Sequence, residues 1–395
     1  MRPAQQSAAT VTGWLREGRR VAAGLLVGID GSAPLQAGAS VYIDADGKIE
    51  GSVTGGCVES AVAQEAMSMM AADEPPRLVT YGISDDLAGT VGLMCGGTVH
   101  IFIHELGPDS QAAIIEGLRA FLEERPSAVA TLLDGPRAGS KLYVDERRHV
   151  GSLGGPELLD ANVEREARGL VSHGRTTVRH FGSDGTTLGT GLRVHVAAHA
   201  ERPQMLIFGA IDFSAALATI ADGMGYRVTI ADPREAFLSS ARFSASARTV
   251  VGWPQEVVEM LAPGPRDAVL VFSHDPKLDV PALIAAFATS AGYVGALGSR
   301  KTTTEREHRL REAGANEADL ERLHAPAGLD IGAATVEETA IAVLAEVTAH
   351  RAGRPGVSLR DSDGSIRRDQ AGSSPLEDVA ARRSAKRSGA PPFAA

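Results

Sequence analysis

The sequence of 395 residues contains only two cysteines, Cys57 and Cys95. So few cysteines exclude a disulfide-dense secreted scaffold and fit a reducing compartment, which predicts a cytoplasmic protein. No apolar run approaches the roughly 18 residues of a membrane span. The apolar run 21–29 lacks the small-residue cleavage site of a signal peptide, and we interpret it as a buried strand. Basic residues are also in deficit, with a net charge of −10, which argues against a nucleic-acid partner.

Length and glycine, by contrast, are abundant. A chain of this length with 44% hydrophobic residues predicts two or three domains, each with its own core. The 44 glycines indicate many tight turns or close backbone approaches. We expect an N-terminal domain over residues 1–200, an α/β domain over 205–350, and a polar, largely disordered tail over 351–395.

The N-terminal domain is predicted to be a duplication of one small α+β unit, over residues 8–105 and about 115–200. The string 37–44 is echoed by 138–145, and the glycine-rich string 51–56 is echoed by 151–155. Features common to both copies are expected to serve the fold. Both cysteines occur in the first copy alone, which makes that copy the candidate for function.

Residues 205–350 alternate apolar strands with helices, which predicts a Rossmann-like, doubly wound parallel sheet. Ligands bind such sheets at the carboxyl ends of the strands. Gly209 ends the first strand, but Ile211 stands where a dinucleotide fingerprint needs a second glycine. Asp232 ends the second strand, where an acid can bind ribose; the alternative is a turn residue before Pro233.

Two further strand ends carry polar residues. His274 and Asp275 follow the fourth strand and could bind a polar ligand or transfer a proton, or could simply cap the next helix. Gly298, Ser299 and Arg300 follow the fifth strand. Backbone amides and a guanidinium at a helix N-terminus predict an anion site there, in preference to a plain turn.

Cys57 follows Gly55 and Gly56 and is predicted to open a helix. The helix dipole would favour its thiolate, which suits sulfur chemistry or a soft metal, and the amides of the turn would suit an oxyanion. Cys95 has a similar setting before Gly96 and Gly97. The alternative for each cysteine is a small buried hydrophobe. Two cysteines alone do not make a zinc site.

Taken together, these strings resemble the XdhC/CoxI family of molybdenum-hydroxylase accessory proteins, over roughly residues 10–365. The resembling segments are 51–59, 95–98, 206–210, 228–234, 273–279, 293–300 and 324–335. The chain departs from the family at Ile211 and Asp212, where a glycine and a histidine are usual, and at Ala327, where isoleucine is usual.

The resemblance implies a chaperone for the molybdenum cofactor, in its molybdopterin or dinucleotide form, rather than an enzyme. Such a protein assists sulfuration of the cofactor and passes it to an apo-hydroxylase such as xanthine or CO dehydrogenase. It also implies a homodimer and a cysteine desulfurase as a second partner. Cys57 or Cys95 would lie near molybdenum, and residues Gly298–Arg300 would hold the phosphate end.

Two other functions are compatible with the sequence. The first is an NAD(P)-dependent oxidoreductase that uses His274 as proton donor, against which the missing second glycine counts. The second is a scaffold that only docks the hydroxylase.

Overall fold

The computed structural model describes residues 3–31, 33–82, 97–239, 243 and 247–362. The chain divides into two compact units, Met1–Glu201 and Arg202–Asp363. Within the described residues, no helix combines the length and the apolar character needed to cross a bilayer.

The N-terminal unit consists of two repeats with the same order of elements. The first repeat comprises α1 (Pro3–Arg16), β1 (Val21–Asp30), β2 (Ser40–Asp44), β3 (Ile49–Gly51), α2 (Glu59–Ala71), β4 (Arg77–Tyr81) and β5 (Thr98–Glu105). The second comprises α3 (Pro108–Leu122), β6 (Ser127–Leu132), β7 (Lys141–Val144), β8 (His149–Gly151), α4 (Glu157–His173), β9 (Thr177–Phe181) and β10 (Leu192–His199).

Each repeat forms an antiparallel five-stranded sheet, and the two sheets share one topology. The first has the order β3-β2-β1-β5-β4, and the second has the order β8-β7-β6-β10-β9. Helix registers agree as well, because Val62, Ala66 and Met69 of α2 match Val163, Ala167 and Leu170 of α4. The predicted duplication is therefore confirmed.

The core of each repeat lies between its sheet and its second helix. Apolar side chains of α2 pack on β1 and β5, and those of α4 pack on β6 and β10. A third cluster joins the two repeats, with Leu25 and Phe102 from the first and Leu133, directly after β6, and Val178 from the second. Each large apolar side chain buried in this way contributes about 1.5–3 kcal/mol.

The C-terminal unit alternates strands with helices. It comprises β11 (Gln204–Phe208), α5 (Asp212–Gly223), β12 (Arg227–Asp232), α6 (Glu235–Leu238), β13 (Arg248–Val251), α7 (Pro254–Leu261), β14 (Ala268–Val271), α8 (Pro276–Phe287), β15 (Tyr293–Ala296), α9 (Arg300–Glu312), α10 (Glu317–Glu321), β16 (Leu323–His324) and α11 (Val336–Ala352).

Its six strands are all parallel, in the order β13-β12-β11-β14-β15-β16. Successive residues of β11 point to opposite cores: Ile207 packs with α5 and α11, and Phe208 packs with α8. The chain order reverses between β11 and β14, which creates the switch point of a Rossmann sheet. The predicted fold class is thus confirmed in both units.

Candidate functional site

The switch point is closed by glycine at the end of β11. The φ of Gly209 is +109°, and a Cβ atom there would lie 2.8 Å from the backbone nitrogen of Ser273. Any side chain would therefore separate the ends of β11 and β14. The glycine found in the sequence lets the two strand ends approach, and so sets the width of the crevice.

Asp232 ties the end of β12 to the end of β11. Its carboxylate is 1% exposed and accepts hydrogen bonds from the amide of Ala210 (3.0 Å) and from the Nε and Nη2 atoms of Arg234 (2.8 and 2.9 Å). Burial acts to raise the pKa of Asp232, but these hydrogen bonds outweigh it and lower that pKa. Both carboxylate oxygens are thus engaged within the protein.

His274 and Asp275 lie on the exposed rim of the same edge. Asp275 caps helix α8, because its side chain accepts a hydrogen bond from the amide of Lys277 (3.0 Å). The capping role weighed from the sequence is therefore what this carboxylate does. The hydrogen bond to Asp232 is the largest cause of the raised pKa of Arg234, and the charge of Asp275 adds to it.

Gly298 and Ser299 directly precede helix α9, which begins at Arg300. The Ser299 hydroxyl accepts a hydrogen bond from the amide of Thr302 (3.1 Å) and so caps the helix. Arg300 is the first helical residue, and its side chain is exposed. The structure therefore places this guanidinium at a helix N-terminus on the carboxyl edge of the sheet.

Arg306 is a site residue that our sequence analysis missed. It is 1% exposed, and its Nη2 atom donates to Asp279 (3.1 Å) and to the carbonyl of Leu297 (2.8 Å). Its Nε and Nη1 atoms have no hydrogen-bond partner among the described residues. A Cβ atom on Gly298 would lie 3.4 Å from Nη1, so this unsatisfied donor lies directly beneath the glycine.

The charge of Arg306 is only partly balanced. Burial raises the pKa of Asp279, although Arg306 acts to lower it. A buried guanidinium with two unpartnered nitrogens costs free energy that an arriving anion would recover. The sequence did carry a signal: Arg306 shares the buried face of α9 with Thr303 and Leu310, at helical spacing.

In the N-terminal unit, the glycine-rich loop after β3 is organised by Glu59. The Glu59 carboxylate accepts seven hydrogen bonds from the loop, five from backbone amides and two from the hydroxyls of Ser52 and Thr54. Burial acts to raise the pKa of Glu59, but the hydrogen bonds from Ser52 and Thr54 lower it to about 2. The loop amides are therefore satisfied by a carboxylate of the chain itself.

Two expectations for Cys57 were wrong. Helix α2 begins at Glu59 rather than at Cys57, because Glu59 folds back onto the loop and Val58 takes the N-cap position. The amides of Gly55 and Gly56 donate hydrogen bonds to Glu59, so they are not free to bind an oxyanion. Cys57 is half-buried and packs against the core of the first repeat.

Cys95 and Gly96 lie outside the described residues, whereas Gly97 is buried directly before β5. Among the described residues, no group of three histidine, cysteine or acidic side chains is placed to hold a metal ion.

The second repeat offers a control for the loop. Asp160 stands in the helical register of Glu59, and it accepts hydrogen bonds from the hydroxyl of Ser152 (2.6 Å) and the amide of Leu153 (2.9 Å). The loop of the second repeat is one residue longer than that of the first. The register of the two helices therefore aligns Cys57 with exposed Leu158. The carboxylate is therefore common to both repeats, and the thiol belongs to the first.

Comparison with known proteins agrees with this architecture. Residues 14–82 match the XdhC and CoxI family, and residues 205–347 match the XdhC Rossmann domain. A Bacillus subtilis (strain 168) protein, named as a probable xanthine dehydrogenase subunit, is 26% identical over 324 residues, covering 82% of this chain and 90% of that protein. The molybdenum cofactor insertion chaperone PaoD of Escherichia coli (strain K12) is 28% identical over 327 residues, covering 82% of each.

A solved structure shows the same fold. The crystal structure of a Bacillus halodurans protein, described as a xanthine dehydrogenase, superposes with a TM-score of 0.64 at 21% identity, covering 92% of this chain and 98% of that one. The two domain matches agree with the relatives that span most of the chain and with the duplicated N-terminal sheet. The chain belongs to the XdhC and CoxI family.

Proposed function

We propose that this protein is an accessory factor that binds the molybdenum cofactor and inserts it into an apo molybdenum hydroxylase. The observation that carries the proposal is the carboxyl edge of the C-terminal sheet, where Arg300 and buried Arg306 flank Gly298. The name of the related insertion chaperone supports the same role.

The donors at this edge fit the phosphate end of such a cofactor. The unpartnered Nη1 of Arg306 lies beneath Gly298, and exposed Arg300 extends from the first turn of α9. A phosphate would accept hydrogen bonds from both guanidinium groups. The bound cofactor supplies molybdenum and its dithiolene sulfur atoms, whereas the protein's residues bind and orient it.

The first turn of α5 is less suited to a pyrophosphate, which counts against nicotinamide chemistry. Ile211 is the N-cap residue, and Asp212 adds a carboxylate to the first turn. A negative side chain there opposes a bound anion at the place where a Rossmann enzyme holds its dinucleotide.

Finer parts of the proposal concern the partners. We include sulfuration of the cofactor, with Cys57 as the thiol close to the sulfur chemistry and a cysteine desulfurase as sulfur source. We also include a xanthine or CO dehydrogenase as recipient, a homodimeric state and a cytoplasmic location. Cys57 supports sulfuration because it is accessible and belongs to the first repeat alone.

Two arginine substitutions test the cofactor site, one near the carboxyl ends of the C-terminal unit's strands and one at an amino end. Protein purified from cells that make molybdenum cofactor should contain near-stoichiometric pterin, measured by the fluorescence of its oxidised form. Arg300→Gln should lower the affinity for the cofactor about 10-fold, the value of one charge-assisted hydrogen bond. Arg227→Gln, at the amino end of β12, should leave it unchanged. Absence of pterin from the wild-type protein, even after free cofactor is supplied, would contradict the proposal.

The thiol is tested by activation of the recipient enzyme. Cys57→Ser should reduce activation of an apo-hydroxylase at least 10-fold while leaving the melting temperature unchanged, because serine keeps the size but not the soft sulfur atom. Leu158→Ser, the matching change in the second repeat, should have no effect on activation. Equal activation by wild-type protein and Cys57→Ser would exclude a role for the thiol.

A further inference from the structure

The N-terminal unit contains a partly open cavity of about 340 Å³. It is lined by strands of both repeats and by helices α1 and α3. Most of the lining is apolar, including Leu25, Ile114, Leu118 and Phe121. Its volume is at the lower end of the range for small-ligand pockets.

Three of the basic side chains that line this cavity are buried and come from three strands, and a fourth, His199 at the end of β10, is exposed. Lys141 is 3% exposed, and His104 and His195 are fully buried. The Nζ atom of Lys141 donates to the Thr131 hydroxyl (2.8 Å). Neither ring nitrogen of His104 or His195 has a hydrogen-bond partner among the described residues. Buried polar groups of native proteins are normally paired, so four unpaired nitrogens in one cavity require an explanation.

Burial opposes a charge on all three groups, and the charge of Lys141 also acts on both histidines. Burial lowers the pKa of His104 and Lys141 adds a smaller lowering effect, while the backbone of Phe102 acts in the opposite direction and His195 lowers it slightly. Burial and Lys141 lower the pKa of His195 to about 3. Burial alone lowers the pKa of Lys141 to about 7. No carboxylate of the described residues is among the groups that shift these three pKa values.

The repeat shows that the fold does not require this cluster. Strand register aligns Lys141 with Ser40, since Lys141 pairs with Thr131 and Ser40 pairs with Leu25. The same register aligns His195 with Phe102. The first sheet therefore has a small hydroxyl and an aromatic ring at positions where the second has two bases. A structural role shared by both repeats does not account for them.

We propose that the cavity binds a small organic anion, with its acidic group against Lys141, His104 and His195 and its apolar body against Leu25, Leu118 and Phe121. Such a ligand supplies acceptors for the unpaired donors and compensates the buried ammonium. It also covers the apolar lining. This site is in the N-terminal unit and does not depend on the cofactor site of the C-terminal unit.

Phenyl phosphate is a suitable probe, because it joins a dianionic group to an apolar ring. Titration of the full chain by calorimetry should show saturable binding, and two imidazoles should shift in nitrogen NMR spectra of histidine-labelled protein. Lys141→Met should weaken binding at least 10-fold, and His195→Phe, which copies the residue of the first repeat, should also weaken it. Lys48→Met, on the exposed turn between β2 and β3, should bind as the wild type does.

The same titration in Arg300→Gln separates the two anion sites. Unchanged phenyl phosphate binding in Arg300→Gln, with loss in Lys141→Met, supports the cavity. Absence of binding in the wild type, or equal binding by Lys141→Met and wild type, would overturn the proposal. Loss in Arg300→Gln alone would place the anion at the C-terminal sheet and overturn it as well.

Discussion

Replacing Lys141 with methionine should make the protein more stable, by about 3–5 kcal/mol at pH 7 and below. The ammonium group is 3% exposed and has one hydrogen bond, to Thr131. Burial lowers the pKa of Lys141 to about 7, from the 10.5 of an exposed lysine. Because the unfolded chain binds this proton more tightly than the folded chain does, the protonated lysine opposes folding.

The sign of the pH dependence follows from the same shift. Above pH 10.5 the lysine is neutral in both states and has no such cost. As the pH falls from 10.5 to about 7, the unfolded state takes up the proton first, and the wild type loses stability relative to Lys141→Met. Below about 7 the difference is complete. The pKa values of His104 and His195 are also lowered, so these two residues reduce the stability of the folded state further, but only at more acidic pH.

Urea unfolding at several pH values would measure this difference. Buried Trp14 on α1 reports on the N-terminal unit if exposed Trp253 is replaced by phenylalanine in both proteins. The gain in stability should shrink steadily from pH 7 to pH 10. A Lys141→Met protein that is less stable than the wild type at pH 7 would show that a counter-charge stabilises the lysine, and would contradict the expectation.

Glu59→Gln should have the opposite effect, and should destabilise the N-terminal unit by roughly 2–4 kcal/mol. The carboxylate accepts seven hydrogen bonds, and the glutamine amide would turn an NH₂ group towards these donors. Several backbone amides of the loop would then lose their acceptor. Because the pKa of Glu59 is about 2 rather than 4.5, its stabilising effect is present above pH 4.5 and is lost as the pH falls towards 2.

The second repeat again supplies the control. Asp160 accepts the two hydrogen bonds described above, from Ser152 and Leu153. Asp160→Asn should therefore lower the free energy of unfolding by only about 1 kcal/mol. Acid unfolding should begin at a higher pH in Glu59→Gln than in Asp160→Asn. If both variants begin to unfold at the same pH, the seven hydrogen bonds contribute nothing to stability and the assignment is refuted.

The sequence was sufficient for the architecture because its patterns are local. Apolar strands alternating with helices predicted the parallel sheet, and the echo of residues 37–44 in 138–145 predicted the duplicated unit. The start of α2 was not predictable in the same way. It depends on Glu59 folding back over the loop, and a Gly-Gly-Cys string does not reveal which side chain will accept its amides. The two-residue strand β16 was also missed, because such a length carries no periodicity.

The site was predictable only in part, for a related reason. Strand ends gave Gly209, Asp232 and Arg300 their places at one edge, since parallel strands bring their carboxyl ends together. Arg306 was not among them because it reaches this edge from the buried face of a helix. The cavity was not predictable from local pattern, because Lys141 and His104 come from different sheets that meet only in the packed unit.

The shared strand order of the two repeats has a consequence for how the cavity could arise. A parent built from two identical repeats would place the same residue at positions 40 and 141, and both of these positions line the cavity. Two facing lysines would repel each other in so small a volume, and two serines would leave it uncharged. Fusion into one chain removes this symmetry, because each copy can then change alone. The covalent link therefore permits a single buried positive charge that a symmetric pair of identical chains is unable to hold.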